Sequence, residues 1–558
     1  MKKQKWVYWT DRIAEEVRKK VDREPILKKI VKKKGYIVYD EKTASGKIHV
    51  GAARGWIIHD IIAKTMRDRG MKARFILSSD NMDPLDTVPA YLNQEKFKKF
   101  LGFPLRDIPS PEKGYDNYAD YFFSQCTEKF EDFGIEAEIE ITGDRYDKGD
   151  FNKAIRIVLD NADKIKEIYR RIYGQTAAMD KLPFCPICEK CGKIGTTLAY
   201  EWNPDNGIVK YVCEPSMVDW AQGCGYRGEV SPFNGNGKMP WKVEWAAKWP
   251  TVGVVCETAG KDHFTEGGSR TISVAISCEV FKFPPPYPST CKKIGKGYEF
   301  FLVGGEKMST SKGVGVSFVE VSDLVPPKIL RFLMVKARPE RTIEFTPEGN
   351  TIPLLFDEFD RIEGIYFGLE KVDEREKTNA KRVYELSVLG GVPKQNPFRI
   401  SFDFASMLAQ ALPRKNRLKG SIQILRRTGH LDRKLTNFEK KELKKRLDYA
   451  ESWARELAPE NMRVILLKEL PDEIVKKISD GQSSALKKLS EFLKKDRKDS
   501  EIWDKIREVA GKVGIKPAKV FEAAYLVLLG RPHGPRLIPF IQSLDKKFVV
   551  KRFKMEID

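Results

Sequence analysis

The stretch YIVYDEKTASGKIHVGAARGWIIHDIIAKTMRDRG, residues 36–70, combines a strand, a short loop and a long helix, and this order decides the fold. The apolar run Tyr36–Tyr39 predicts a buried strand. From residue 50 to Arg69, apolar side chains recur at helical spacing, and Gly70 is suited to cap the helix end. A second apolar run, Ala73–Leu77, completes a strand, helix and strand. This unit predicts a parallel sheet that binds ligands at the carboxyl ends of its strands.

The loop TASGKIHVG, Thr43–Gly51, ends where the predicted helix begins. A helix start presents free backbone N–H groups and the positive end of the helix dipole, and both favour a phosphate group. Gly46 and Gly51 would let a ligand approach the backbone closely, and His49 would donate to a phosphate oxygen. A histidine packed in the core at a strand-to-helix turn is the alternative interpretation.

A second loop with phosphate-binding character is the segment EKMSTSKG, Glu306–Gly313. It places two mobile cations, Lys307 and Lys312, beside three small hydroxyl residues, and this combination suits a triphosphate. Taken alone, such a loop is more often a solvated surface turn. Together with the loop at His49, it predicts a nucleotide site with two phosphate-facing elements.

Length and composition indicate a globular protein of about three or four domains, because 558 residues exceed the size of a single core. No apolar run approaches the roughly 18 residues that a membrane span needs, so we expect a cytoplasmic protein without a membrane segment. The formal net charge of +21 favours a polyanionic partner such as nucleic acid. Between Arg414 and Arg446 there are thirteen Lys or Arg and three Asp or Glu. This bias indicates either a phosphate-binding helical face or an ordinary solvated one.

The cysteines are unevenly spread, and nine of them without a secretory segment argue against a disulfide framework. The form CxxCG at Cys188 is typical of a zinc knuckle, in which two thiolates one turn apart point at one ion. We predict a tetrahedral structural Zn²⁺ site formed by Cys188, Cys191, Cys213 and Cys224, with Cys185 as an alternative to either of the first two. Four further cysteines lack ligand spacing and are predicted to be reduced buried thiols: Cys126, Cys256, Cys278 and Cys291.

Polar residues follow two of the apolar runs that predict strands. The segment DNMDP, Asp80–Pro84, comes directly after the second predicted strand, and ETAGKDH, Glu257–His263, follows the apolar run Val252–Cys256. Both segments therefore belong to the edge of the sheet where a cleft is expected. Beyond the second loop the pattern becomes helical, as in 438–457, which a capping box at Thr436 precedes.

The two loops resemble the HIGH and KMSKS signatures of class I aminoacyl-tRNA synthetases. Ala52 replaces the last polar residue of HIGH, and Thr310 replaces the second lysine of KMSKS, which leaves Lys312 as the replacement charge. The positions that match the signatures are His49, Gly51, Lys307, Met308, Ser309 and Ser311.

Nearly the whole chain is similar to the archaeal-type class I lysyl-tRNA synthetases. The segments that carry the similarity are TASGKIHVG, AGKDH at 259–263, YEF at 298–300, DEFDRIEGIYFG at 357–368 and GPRLIPF at 534–540. The resemblance implies a lysine–tRNA ligase that activates L-lysine with ATP and Mg²⁺ and transfers it from lysyl-adenylate to the 3′ end of tRNA(Lys) in translation. It implies no separate organic cofactor. The oligomeric state stays open, with a monomer favoured.

The resemblance also implies an α/β fold: a Rossmann nucleotide-binding domain with a zinc-bearing connective insertion, followed by an all-α C-terminal anticodon-binding domain. The implied bounds are 1–80 for the first Rossmann half, 81–240 for the insertion with a zinc subdomain at about 183–231, 241–305 for the second half, 306–350 for the KMSKS loop and stem-contact segment, and 351–558 for the helical domain.

Site residues follow from the resemblance by position. The implied catalytic residues are His49, Lys307 and Lys312. The implied ATP-binding residues are Ser45, Gly46, His49, Gly51, Lys307, Met308, Ser309 and Ser311. The implied lysine-binding residues are Thr43, Trp241, His263 and Tyr298.

An ε-ammonium also requires a carboxylate, and Asp80, Asp83 and Glu257 are all candidates. Two alternative functions stay open. A class I synthetase for glutamate or cysteine shares both signatures, and a non-catalytic zinc-bearing tRNA-binding protein would explain the charge and the cysteines.

Overall fold

The computed structural model describes residues 7–174, 181–304 and 317–556. The chain divides into two units. The first consists of Met1–Asp323, Leu330–Phe345 and Val372–Val392, and the second of Leu324–Ile329, Thr346–Lys371 and Pro393–Asp558. The predicted phosphate-binding residues Lys307, Met308, Ser309, Ser311 and Lys312 lie outside the described residues.

Eleven strands are found in the described residues, all in the first unit. In chain order they are β1 (Tyr36–Lys42), β2 (Ala73–Ser79), β3 (Glu138–Ile141), β4 (Cys185–Pro186), β5 (Thr197–Asn203), β6 (Ile208–Cys213), β7 (Arg227–Val230), β8 (Gly237–Lys238), β9 (Val254–Cys256), β10 (Phe301–Val303) and β11 (Ile343–Phe345).

The helices are α1 (Trp9–Arg23), α2 (Pro25–Lys34), α3 (Val50–Asp68), α4 (Gln94–Lys98), α5 (Tyr118–Thr127), α6 (Phe130–Phe133), α7 (Thr142–Asp147), α8 (Asn152–Asp160), α9 (Ala162–Tyr173), α10 (Trp241–Lys248), α11 (Ser269–Glu279), α12 (Phe318–Leu324), α13 (Pro327–Lys336), α14 (Thr351–Tyr366), α15 (Glu374–Ser387), α16 (Phe402–Ala411), α17 (Arg417–Arg427), α18 (Asn437–Glu456), α19 (Asp472–Val475), α20 (Asp480–Phe492), α21 (Asp499–Lys512), α22 (Pro517–Leu529), α23 (Leu537–Ser543) and α24 (Lys546–Lys554).

The first unit is built on a sheet with the strand order β3-β2-β1-β9, in which all neighbours pair in parallel. Strand β1 lies inside the sheet, between β2 and β9. Its residues Ile37, Val38 and Tyr39 are all buried, as expected for a strand covered on both faces. Val38 pairs with Phe75 of β2 on one side and with Cys256 of β9 on the other. Helix α3 is the crossover between β1 and β2. The predicted mixed α/β fold with a parallel sheet is thus confirmed.

Helix α3 also anchors more distant parts of the first unit through Arg54, which is buried. The guanidinium donates to the carbonyl oxygen of Phe300 at 2.7 Å and to those of Arg338 and Pro339 at 3.2 Å each. These carbonyls belong to the segments that lead into the parallel pair β10 and β11. The contacts therefore tie the chain on either side of residues 305–316 to the helix that begins at the first loop.

The cysteine-rich part of the first unit carries small sheets of its own. Strands β5, β6 and β7 form an antiparallel sheet, and β4 pairs with β8. The stretch 81–240 also contains β3, which pairs with β2 in the central sheet. The segment thus contributes both to the sheet and to the cysteine-rich subdomain.

The second unit consists of helices and turns in its described residues, which confirms the predicted helical C-terminal region. Helix α18 begins with the predicted capping box, in which Thr436 and Glu439 bond reciprocally. Its Trp453 is buried and donates to the carbonyl of Gly349 at 3.1 Å. Among the helices described in either unit, none is both long and apolar enough to cross a membrane.

The prediction that Cys278 and Cys291 are reduced thiols is wrong, because they form a disulfide bond with their Cα atoms 5.9 Å apart. The two cysteines are 13 residues apart in sequence, and the chain folds back after α11 to bring them together. No spacing motif shows such a contact. Cys126 and Cys256 are free and buried, as predicted.

Arg331 is expected to be one of the largest single contributors to the stability of the first unit. It is buried, lies 2.7 Å from Asp60 and donates to the carbonyl oxygens of Leu386 and Phe133 at 2.8 and 3.0 Å. Arg331→Met leaves Asp60 with one cation fewer and should lower the free energy of unfolding by about 3 to 5 kcal/mol. Urea denaturation of the full chain measures this loss.

The matched control is Arg74→Met, which removes an exposed arginine that lies 2.8 Å from Glu138. An exposed pair contributes less than about 1 kcal/mol, so this variant should unfold close to the parent. Equal losses for the two variants would contradict the role assigned to Arg331.

Candidate active site

A cleft of about 530 Å³ opens at the carboxyl edge of the central sheet, beside the ends of β1, β2 and β9. Ligands of open parallel sheets bind at this edge. Six of the residues predicted from sequence line the cleft: Thr43, His49, Gly51, Trp241, His263 and Tyr298. Ser45 and Gly46 are not among the lining residues. The carbonyl of Ser45 instead accepts a hydrogen bond from the Tyr118 hydroxyl at 2.9 Å.

His49 stands immediately before α3, with the extended backbone of a helix-capping residue. Pairing with Ser317 fixes this backbone. Burial, together with the charge of Lys42, lowers the pKa of His49 to about 4, so its imidazole is neutral at pH 7. The Nδ1 atom is buried and has no partner among the described residues. A neutral ring with an unpaired nitrogen at the start of a helix suits a phosphate oxygen.

An aromatic wall lines another part of the cleft. Trp241 and Trp245 stack with ring centroids 6.3 Å apart, and the ring of His263 meets both edge-on at 6.1 and 5.5 Å. The Nδ1 atom of His263 lies 3.0 Å from the Ser269 hydroxyl, which orients the ring. Trp241 is 45% exposed, so its face is open to a ligand. Such a wall suits an aliphatic chain that carries a cation.

Tyr298 reaches the cleft from a segment that pairs with Gly260. Its hydroxyl packs on α3 so closely that a Cβ atom added at Gly55 would come within 2.5 Å of it and within 3.2 Å of Asp40 Oδ2. Burial raises the pKa of Tyr298 above its ordinary value, so the hydroxyl keeps its proton and can donate. Gly55 is therefore required for this tyrosine and carboxylate to reach the cleft together.

Of the three carboxylates that the sequence leaves open, Glu257 is held by the protein through one of its oxygen atoms, Oε2. It accepts from the indole N–H groups of Trp245 and Trp249 at 2.8 and 2.7 Å, and it lies 2.9 Å from Arg270. Trp245 belongs to the aromatic wall, and Trp249 and Arg270 are buried behind it. Glu257 thus orients the wall through Oε2, and the charge of Arg270 offsets its own.

The other two candidates, Asp80 and Asp83, belong to a group of ionisable side chains at the floor of the cleft. We call this group the buried charge cluster. Its members are the carboxylates Glu41, Asp80, Asp83 and Glu244 and the ammonium groups of Lys238 and Lys248.

Oxygen atoms of Glu41, Asp80 and Glu244 lie within 4.8 Å of one another, a spacing that a metal ion could bridge. Both lysines of the cluster already contact these oxygens. Lys238 lies 2.6 Å from Asp80 and 3.4 Å from Glu244, and Lys248 contacts both Glu41 and Glu244. The cluster therefore has its own cations and does not need a metal ion.

Five residues of the cleft and its floor carry no prediction from sequence: Asp40, Glu41, Lys238, Glu244 and Lys248. For the first two a signal exists, because they directly follow the buried run of β1 and must lie at the carboxyl edge of the sheet. The two lysines have no such signal. A lysine becomes a buried counter-ion only through contacts that the tertiary fold creates.

The cysteines Cys188, Cys191, Cys213 and Cys224 come together, with all four sulfur atoms within 4.8 Å of one another. The pairs Cys188 with Cys224 and Cys191 with Cys213 are each 3.7 Å apart. Four Zn–S bonds of about 2.3 Å place tetrahedral sulfurs about 3.8 Å apart, so the spacing fits zinc. Cys185 is outside this group and lies in β4.

The second unit carries most of the excess positive charge, since its segments 324–329, 346–371 and 393–558 together contain 41 Lys or Arg and 28 Asp or Glu. Part of the basic stretch that begins at Arg414 is neutralised within the unit, because Arg417 lies 2.5 Å from Glu451 and Arg446 lies 2.6 Å from Asp360. The exposed lysines in and just before α18 are Lys434, Lys440, Lys441, Lys444 and Lys445.

A family profile and three relatives of known function all indicate similarity to tRNA synthetases. The family profile described as "tRNA synthetases class I (K)" matches residues 7–389. The chain is 32% identical to a lysine–tRNA ligase of Methanosphaera stadtmanae over 98% of this chain and 99% of that protein. It is 33% identical to a lysine–tRNA ligase of Methanocaldococcus jannaschii over 98% and 100% of the two chains. A lysine–tRNA ligase of Methanococcus maripaludis is 32% identical, again over 98% and 100%.

Proposed function

The chain belongs to the class I tRNA synthetases (K), and we propose that it joins L-lysine to tRNA(Lys) through a lysyl-adenylate formed in the cleft at the carboxyl edge of the sheet. The observation that carries this proposal is that one cleft combines the neutral His49 at a helix start, an aromatic wall and an acidic floor. The acidic floor consists of the lining carboxylates Glu41, Asp80 and Asp83. The three features are recognition groups for a phosphate, an aliphatic stem and an ammonium group. ATP and lysine are thus the two ligands that the cleft suits.

In the first step, a carboxylate oxygen of lysine attacks the α-phosphorus of ATP, and pyrophosphate leaves. The protein contributes position and charge stabilisation rather than covalent chemistry. His49 and the first N–H groups of α3 would donate to the α-phosphate as negative charge builds up on it. Mg²⁺ bound with ATP neutralises phosphate charge, and we assign the leaving pyrophosphate to Lys307 and Lys312 from the sequence signature.

In the second step, a hydroxyl of the terminal adenosine of tRNA attacks the carbonyl carbon of lysyl-adenylate, and AMP leaves. Class I membership favours the 2′-hydroxyl. The aromatic wall would hold the lysine stem, with Thr43, His263 and Tyr298 around it. Thr43 itself donates to Asp83 at 2.7 Å, which connects the lysine site to the acidic floor.

The acidic floor also distinguishes among the amino acids that class I enzymes use. A glutamate side chain would place a further carboxylate next to Glu41, Asp80 and Asp83, and this like-charge contact is unfavourable. A cysteine side chain has neither the length nor the charge that the wall and the floor provide. Lysine is the amino acid that matches both.

The four clustered cysteines are proposed to hold a structural Zn²⁺ ion. All four positions of a tetrahedral site are then protein sulfurs, so no position is open for chemistry. The N–H of Cys224 donates to the Cys213 sulfur at 3.3 Å, a contact that stabilises a thiolate. The ion would hold the subdomain of β4 to β8 together.

The helical second unit is proposed to bind the anticodon region of tRNA. Its charge supports this assignment, because a polyanion is attracted to an excess of exposed lysine and arginine. One concentration of positive charge is in and before α18, where five exposed lysines lie within one short stretch.

The first test is lysine-dependent exchange of pyrophosphate into ATP, measured with saturating tRNA present. We expect exchange with lysine and none with glutamate or cysteine. His49→Ala should reduce the exchange rate about 10²- to 10³-fold, about 3 to 4 kcal/mol, because one donor to the developing charge is lost. No exchange with lysine in the parent would overturn the proposed function, and an unchanged rate in His49→Ala would remove this residue from the mechanism.

A matched control is His533→Ala, which removes an exposed histidine of the second unit. At saturating tRNA its exchange rate should equal that of the parent. Circular dichroism of both variants shows whether a lost rate reflects lost chemistry or lost folding.

Metal analysis of the purified chain should find about one zinc per molecule. The double variant Cys191→Ser/Cys224→Ser should lose this zinc and unfold at a lower temperature, because the ion contributes folding free energy. Cys185→Ser is the matched control and should keep the zinc. Zinc retained by the double variant, or lost by Cys185→Ser, would contradict the assigned ligand set.

Binding of tRNA should depend on the exposed lysines of α18. The triple variant Lys440→Ala/Lys441→Ala/Lys445→Ala should weaken binding and reduce the slope of log affinity against log salt by about 2 to 3, measured between about 50 and 200 mM salt. A triple variant at Lys476, Lys477 and Lys488, which are also exposed, removes the same charge elsewhere in the unit. Equal effects of the two triples would argue against a specific face on α18.

A further inference from the structure

We propose that Lys238 and Lys248 are positioning residues for the substrate lysine: they fix the four carboxylates of the buried charge cluster and leave two negative charges for the ammonium groups of the ligand. This inference rests on the proposed function. It concerns two lysines that belong to no sequence signature and do not line the cleft.

Lys238 is the cation nearest to the ends of β2. Its ammonium group lies 2.6 Å from Asp80, 2.5 Å from Asp83 and 3.4 Å from Glu244, and its side chain is almost completely buried. Asp83 uses its other oxygen to accept from the Thr43 hydroxyl. Lys238 therefore holds in place the carboxylate that orients a residue of the proposed lysine site.

Lys248 does the same for the end of β1. It contacts Glu41 and Glu244, and it too is almost completely buried. The Thr142 hydroxyl donates to Glu41 at 2.8 Å, and the Tyr146 hydroxyl donates to Glu244 at 2.6 Å. These contacts leave Glu41 with one defined orientation at the cleft.

The charges of the cluster do not balance, because four carboxylates surround two ammonium groups. Asp80 and Glu244 have nearly no exposure, whereas the side chains of Glu41 and Asp83 are 21% and 25% exposed. Glu41, Asp80 and Asp83 all line the cleft, and Glu41 and Asp83, the more exposed members, present the uncompensated charge to a ligand. A free lysine molecule has two ammonium groups, which match this excess.

Without the ligand, part of the excess is neutralised by a proton. Burial raises the pKa of Glu41 to about 8, even though Lys248 opposes this shift. The charged and titratable groups around Glu41 are Lys248 and Glu244 of α10, Asp80 after β2 and Tyr39 of β1. An arriving ammonium group replaces the proton, so lysine binding should release it.

The replacement of the Glu41 proton by an ammonium group determines how the affinity for lysine changes with pH. Because the cation binds the ionised carboxylate, affinity for lysine should rise with pH up to about 8 and then level off. A neutral isostere such as norleucine cannot replace the proton at the ε-position. Its weaker binding should therefore show less proton release.

The experiment is titration calorimetry of the full zinc-loaded chain with lysine at about pH 7, in buffers of different ionisation enthalpy. The expected result is release of about one proton per lysine, and an affinity that rises about eightfold from about pH 6.5 to 7.5. Lysine binding without proton release and with a flat pH profile would overturn the inference. Lysine-dependent exchange in the same preparation would leave the proposed function intact.

The positioning role is tested with Lys238→Met and Lys248→Met. Each should raise KM for lysine at least tenfold while KM for ATP stays within twofold of the parent. Lys238→Arg and Lys248→Arg, which keep the charge, should recover part of the loss. A merely structural role is shown by equal increases in KM for lysine and for ATP, or by arginine variants whose KM for lysine is as high as that of the methionine variants.

Lys148→Met is the matched control, since Lys148 is an exposed lysine of the first unit. Its KM values should equal those of the parent. If a methionine variant does not fold, Lys238→Gln and Lys248→Gln replace it in the same comparison of KM values, since glutamine removes the charge but stays polar.

Discussion

The parallel direction of the four strands in the central sheet is the constraint on which the cleft depends. Because all carboxyl ends meet at one edge, the residues that follow β1, β2 and β9 are brought together, and several of them are acidic. Each of these carboxylates needs a partner where water is scarce. Asp40 lies 3.3 Å from His59, Glu257 lies 2.9 Å from Arg270, and Asp80 lies 2.6 Å from Lys238. These pairings offset the cost of burying the carboxylates, and the same pairings orient the residues that line the cleft.

Helix α3 links the two halves of the cleft. His49 stands at its start with the free N–H groups proposed to bind a nucleotide, and about one and a half turns later Gly55 admits the hydroxyl of Tyr298 from the proposed amino-acid side. Arg54, between them in sequence, binds the carbonyls of Phe300 and Arg338. A rigid helix with a rise of about 1.5 Å per residue thus sets the distance between the two substrates. Reaction between a carboxylate and an α-phosphorus depends on such fixed positions.

The sequence predicts the parts of this arrangement that have a local cause. Apolar periodicity is enough to predict β1 and α3, and the CxxCG spacing is enough to point to Cys188 and Cys191. The capping box at Thr436 and the helical character of α18 are local as well. Contacts between distant segments have no local cause. The disulfide between Cys278 and Cys291 and the buried positions of Lys238 and Lys248 arise only when the chain folds back on itself. The order of the strands, and hence which acidic residue lies next to which cation, is likewise a property of the whole sheet.

Two lysines in the floor of the proposed lysine site carry the same charge as the substrate, yet on our proposal their number is what makes the site selective. Four carboxylates without internal cations would repel one another and take up protons, which would remove the attraction for an ammonium group. Four internal cations would leave the floor neutral and give a cationic ligand no advantage over an apolar one. With Lys238 and Lys248 in place, the carboxylates keep a fixed geometry and a remaining negative charge. On this proposal, selection of lysine depends on completing a charge balance within the cluster, which has two cations fewer than carboxylates.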